Sequence, residues 1–134
     1  MAPRNVPPAR SRTPAKRAAQ PVFRFRPRVT RGGSIAIGPG KIALLEAIES
    51  TGSITAAAKS LDMSYRRAWL LLDEVNRSLK SLAVDSAKGG ERGGGTTLTD
   101  AGRELIRLYR RIEARAATAC DRDIKSLIGL LARE

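Results

Sequence analysis

The 134-residue sequence contains no histidine and a single cysteine, Cys120. Without an imidazole there is no side chain that titrates unaided near neutral pH to serve as a general base, and a His/Cys zinc site has no ligand set. One cysteine cannot close a disulfide within the chain. No apolar run approaches the roughly 20 residues that cross a bilayer, and the N-terminus has no continuous apolar core of the secretory type. The expected location is therefore the bacterial cytoplasm, with no membrane partner.

Other chemistry is also excluded. The glycine-rich stretch "GGERGGG" lacks the "GK[ST]" ending of a nucleotide-binding loop. The carboxylates at Asp73-Glu74 and Asp121/Asp123 read as solvated helix faces. Cys120 reads as a packing residue, since Asp121 beside it discourages the thiolate. The expectation is a protein that is not an enzyme, with no catalytic residues, no metal and no cofactor.

Acidic residues are missing from one end. Residues 1–32 hold nine of the 25 Lys and Arg and none of the 13 Asp and Glu. Positions 33–134 then carry 16 cations against 13 anions, +3 of the total +12. The excess charge points to a polyanionic partner, but most of it lies in an arm. Residues 1–21, rich in Pro, Arg and Ala, read as a disordered basic arm that solubilises the chain or lies along phosphates. An Arg-rich, acid-poor segment is also the composition of a transit peptide.

What is present downstream is helical punctuation. Val22 to Val29 alternates apolar and arginine residues apart from Pro27, an edge-strand pattern. Gly32-Gly33 supply a turn and "SIAI" a second strand, giving an N-terminal β hairpin. A first helix is expected from Pro39 or Lys41 to Ser50, with Ile42, Leu45 and Ile48 on one face and Gly52 stopping it. Ser53 caps a short helix, Ile54 to Leu61, whose Ala56, Ala57 and Ala58 admit close packing. Asp62-Met63 turn the chain. Ser64 caps a third helix to Leu79, with Ala68, Leu72, Val75 and Leu79 inward. Strands at 82–87 and 96–98 enclose a glycine tip that carries Lys88 and Arg92. Thr99 caps a long helix from Asp100 nearly to Glu134, and its apolar stripes need a partner surface.

Helix, short helix, tight turn, basic-ended helix, glycine-tipped hairpin and long helix together match a winged helix-turn-helix. The fold class is mainly α with a small β wing and a long C-terminal dimerisation helix. The expected organisation is a disordered basic arm at 1–21, a DNA-binding domain with the N-terminal hairpin at 22–98, and the dimerisation helix at 99–134. Recognition helices read base edges from their N-terminal end. That end carries Ser64, Tyr65, Arg66 and Arg67, with Ser53 and Thr55 on the preceding short helix as further DNA contacts. Arginine bonds guanine bidentately. Lys88 and Arg92 would touch the adjacent backbone or minor groove. Two adjacent arginines are also what a solvated face carries, Tyr65 would bond phosphate or brace the turn, and Trp69 reads as core.

"LLEAIESTGSITAAAKSLDMSYRRAW", "EVN" at Glu74 to Asn76, "GGERGGG" and "LTDAGRELIRLY" resemble the N-terminal DNA-binding domain of the molybdate-responsive ModE-type regulators, with a helix-turn-helix similar to that of LysR-type regulators. The resemblance covers Gly33 to Ala117. It implies a homodimeric transcription regulator on double-stranded DNA, with the first and last helices at the dimer interface. The C-terminal molybdate-binding domains of that family would only begin where this sequence ends. Molybdate sensing is therefore not carried over, and the signal would be absent or come from a separate effector-sensing protein or ligand. Two other readings remain: a non-specific nucleic-acid-binding or nucleoid-associated protein driven by the arm, and a protein-interaction adaptor. The modest charge of the folded part counts against the first.

Overall fold

The computed structural model describes residues 19–86 and 95–133, and Lys88 and Arg92 lie outside them. The chain divides into a main unit, Phe25–Ala119, and a second unit that includes Cys120 onward. The elements run β1 (Val29–Arg31), β2 (Ser34–Ile37), α1 (Pro39–Thr51), α2 (Ile54–Ser60), α3 (Tyr65–Ser78), β3 (Val84–Ser86), β4 (Thr96–Leu98), α4 (Asp100–Ala119) and α5 (Asp121–Gly129). The protein is thus mainly helical with two small antiparallel hairpins, β1–β2 and β3–β4, an arrangement compatible with a winged helix-turn-helix.

Helix α1 forms the centre of the main unit. Pro39 at its start lacks an N–H that would be unsatisfied there anyway. Ile42, Leu44, Leu45 and Ile48 are fully buried, each burial contributing roughly 1.5–3 kcal/mol. Gly52 ends the helix at φ 77°, and its N–H donates to the Ile48 carbonyl at 2.8 Å.

The next two helices start on the capping serines. The Ser53 hydroxyl accepts from Ala56 N–H at 2.9 Å, and that of Ser64 from Arg67 N–H at 3.1 Å. Between them Asp62 takes φ 59°, a left-handed conformation that a short polar side chain tolerates. Buried Ala57 and Ala58 let α2 lie close to its neighbours, and Ala68, Leu72 and Val75 form the inner face of α3.

The β3–β4 hairpin pairs Val84 with Leu98 and Ser86 with Thr96. It is tied down at three points. Thr96 N–H donates to Gly52 O at 3.0 Å, and Thr99 N–H to Ala83 O at 2.9 Å. The Asn76 side-chain oxygen accepts from Ala83 N–H at 2.8 Å and Val84 N–H at 3.3 Å. Thr99 caps α4, accepting from Gly102 N–H at 3.1 Å while its hydroxyl donates to Leu82 O at 2.6 Å. Helix α4 is joined to α1 by Arg110, which forms a two-pronged pair with Glu46. The hydrogen bond from Arg110 holds the Glu46 carboxyl below its ordinary pKa.

Two expectations are corrected. The first strand does not span Val22 to Val29 but begins at Val29, with a bulge between Val29 and Thr30. Pro27 has no N–H for a ladder, so pairing starts only past it. The helical stretch expected from Asp100 nearly to Glu134 is two helices, because Cys120 leaves helical geometry at φ −103°, ψ 12°. Asp121 and Asp123 then suit the positive start of a new helix. Cys120 is exposed at this break rather than packed. On α4, Leu108 and Ile112 remain 42% and 55% exposed.

Candidate nucleic-acid interface

Helix α3 carries the site, and its register sorts its side chains. Ala68, Leu72 and Val75 point into the core, so Arg66, Leu70, Asp73 and Arg77 lie on the opposite side at helical spacing. Tyr65, Arg66 and Arg67 are all exposed at its leading end. The first-turn N–H groups and positive dipole end there also favour an anion, though the Ser64 hydroxyl occupies the Arg67 N–H. Helix, cap and exposed cations thus converge on one surface.

The expected contacts are only partly together. Ser64, Tyr65, Arg66 and Arg67 share the start of α3. Ser53 is half-buried and engaged as the α2 cap, and Thr55 is exposed in the first turn of α2. Lys88 and Arg92, at the tip of the β3–β4 hairpin, fall outside the described residues.

Trp69 corrects the reading of it as core. It is 48% exposed, and Tyr65 one turn earlier is 53% exposed. Residue 69 sits about 100° round the helix from Ala68, outside the stripe that Ala68, Leu72 and Val75 define. That stripe was the signal that would have placed it outside. Leu70, 44% exposed, extends the apolar surface next to Arg66. Farther along, Arg77 bonds Asp73 through Nε and Nη2 at 3.1 and 2.6 Å, an i,i+4 pair on the helix surface.

Arg66 and Arg67 do not play equivalent geometric parts. Arg66 lies outward, whereas Arg67 lines a cleft between α3 and the β1–β2 hairpin. The hairpin side of that cleft is anchored by Tyr109 of α4, whose hydroxyl donates to the Pro27 carbonyl at 2.8 Å. Burial raises the Tyr109 pKa above its ordinary value. Among the described residues no helix is long and apolar enough to cross a membrane, and no group of three Asp, Glu, Cys or His side chains is placed to hold a metal.

No protein-family model matches the chain. Among known proteins it is 44% identical over 87 residues to the molybdenum transport protein ModE of Azotobacter vinelandii, covering 65% of this chain and 32% of that one. It is 42% identical over 71 residues to the DNA-binding transcriptional dual regulator ModE of Escherichia coli (strain K12), covering 53% and 27%. It is 44% identical over 91 residues to the molybdenum-pterin-binding protein MopB of Rhodobacter capsulatus, covering 68% and 34%. The chain spans about a third of the length of these curated relatives. Across half to two thirds of its own length, the chain is a homologue of proteins named ModE and of molybdenum-pterin-binding proteins, as the motifs around "GSITAAAKSLDMSYRRAW" suggest.

Proposed function

We propose that the protein is a sequence-specific DNA-binding transcription regulator, a homodimeric winged helix-turn-helix in which α2 and α3 form the helix-turn-helix and β3–β4 the wing. The observation that carries this reading is the leading end of α3, where Tyr65, Arg66 and Arg67 stand exposed on a helix whose other side is locked into the core. A relative named a DNA-binding transcriptional regulator supports it. In this reading Arg66 reads base edges in the major groove, Ser64 and Tyr65 brace the entry, and Ser53 and Thr55 touch the backbone. Lys88 and Arg92 reach the neighbouring groove from the wing tip. The exposed Leu108 and Ile112 of α4 meet a second copy, so two α3 helices enter successive major grooves of an inverted repeat. The basic arm at 1–21 adds salt-dependent affinity without sequence preference.

No catalytic role is assigned. No molybdenum-binding role is assigned either, because the relative named for it is matched over only 34% of its length. Arg66→Ala is expected to weaken binding to an operator recovered by selection by about 5- to 150-fold, equivalent to about 1–3 kcal/mol, while binding to random duplex falls far less. Deletion of residues 1–21 is expected to weaken both alike. Fluorescence anisotropy on the two duplexes measures this. Full operator discrimination in Arg66→Ala/Arg67→Ala would remove α3 from the reading role.

A further inference from the structure

The cleft beside α3 measures about 870 Å³ and is lined by Arg26, Arg28, Arg31, Lys41, Arg67 and Arg77, with Glu74 as the acidic residue on its wall. Its cations fall into two groups. Lys41 is neutralised: its ammonium donates to the Ile35 carbonyl at 2.6 Å and faces Glu74 at 3.1 Å. Arg77 is held by Asp73. Among the described residues, Arg26, Arg28, Arg31 and Arg67 make no ion pair, whereas Arg103, Arg107 and Arg110 of α4 each hold a carboxylate. Four guanidinium groups without an ion pair among the described residues, from α3, β1 and the segment leading into β1, thus share one concavity.

Position adds a second argument. The residues of α3 that line the cleft are Arg67, Leu71, Glu74 and Ser78, one helical stripe, with Arg77 at its edge. Asn76, which bonds the start of the β3–β4 hairpin, lies on the other flank of the helix. The two hairpins therefore bracket α3. The Arg26–Arg28 stretch is also pre-organised, since Tyr109 pins Pro27 between the two arginines. A backbone held in place loses less freedom when the arginines it carries bind phosphate.

We propose that the β1–β2 hairpin and the arginine segment leading into it are a second wing: with Arg67 they form a phosphate-binding cleft that grips the DNA backbone flanking the base pairs read by α3. This rests on the DNA-binding reading given above. The cleft is far larger than one tetrahedral oxyanion and continuous with the leading end of α3 through Arg67, which favours a run of backbone phosphates over a free ion.

The test uses the full chain carrying Arg26→Gln/Arg28→Gln/Arg31→Gln, which removes the charges and keeps polar side chains with most of the stem. Arg31→Gln alone is a milder second variant, and circular dichroism checks that both fold. The slope of log affinity against log salt on the operator is expected to shrink by about 2 to 3 in the triple variant, at about 0.9 for each phosphate no longer neutralised. The ratio of operator to random-DNA affinity stays unchanged. Hydroxyl-radical footprinting loses protection only on the backbone flanking each half-site. Wild-type slope and footprint in the triple variant would overturn the second wing while leaving α3 as the reader. Absence of any selective binding by the wild type would instead overturn the underlying function. Saturable calorimetric binding of inorganic phosphate, abolished in the triple variant while its DNA slope stays at the wild-type value, would identify a small-anion site and also overturn the proposal.

Discussion

Gly102→Ala is expected to destabilise the protein by about 3 kcal/mol or more, against what helix propensity alone predicts. Gly102 lies in the first turn of α4, where alanine is normally better than glycine by about 1 kcal/mol. A methyl group there would collide with the backbone carbonyl of Ala83. That carbonyl cannot simply retreat, because it accepts the Thr99 N–H at 2.9 Å and Ala83 is fully buried. Overpacking against backbone in a close-packed interior costs about 1–3 kcal/mol and sometimes more, on top of the strained hydrogen bond. Gly40→Ala in α1 is the matched control. A Cβ there meets nothing within 4 Å, so that variant is expected to be neutral or slightly stabilising. Urea denaturation of both measures the difference. A Gly102→Ala protein as stable as the wild type would mean that α4 does not lie against the Ala83 backbone as described.

Asn76→Ala is expected to cost about 2–4 kcal/mol. The Asn76 oxygen is the acceptor for two consecutive backbone donors, Ala83 and Val84, both on buried residues. Leaving a buried donor unmet costs about 1–3 kcal/mol, and two are exposed to that penalty here. Asn76→Asp keeps an acceptor oxygen at the same reach and should recover much of the loss. The consequence extends beyond stability. The segment from Leu79 to Val84 is what delivers the chain from α3 into β3, so loosening it frees the hairpin relative to α3. Operator affinity should therefore fall in Asn76→Ala at temperatures where the protein remains folded. Unchanged stability would remove Asn76 as the fastener between α3 and the hairpin.

The helical part of this fold was legible because its signals are local. Ser53, Ser64 and Thr99 each cap the helix their position announces, and Gly52 stops α1 in the left-handed conformation that favours glycine. The stripe Ala68, Leu72, Val75 fixed the buried face of α3. Less legible were features that depend on partners distant in the chain. Pro27 is held by Tyr109, 82 residues away, and this contact rather than strand pairing orders the arginine segment. Lys41 gave no sign of being buried, since its neutralising Glu74 lies on another helix. The break at Cys120 was visible as a polar interruption, but the continued apolar spacing beyond it suggested one helix where there are two. Within the site, the sequence marked Arg66 and Arg67 as a pair. Only the packing of α3 separates an outward Arg66 from an Arg67 turned to the cleft.

The central claim is that α3 reads DNA sequence in a symmetric pair. Selection of bound duplexes from a random library by the full-length protein, followed by sequencing, tests it most directly. An enriched inverted repeat with half-site centres about one helical turn apart is the predicted result. A bound pool with no enriched motif would contradict it, and the basic arm would then account for the binding.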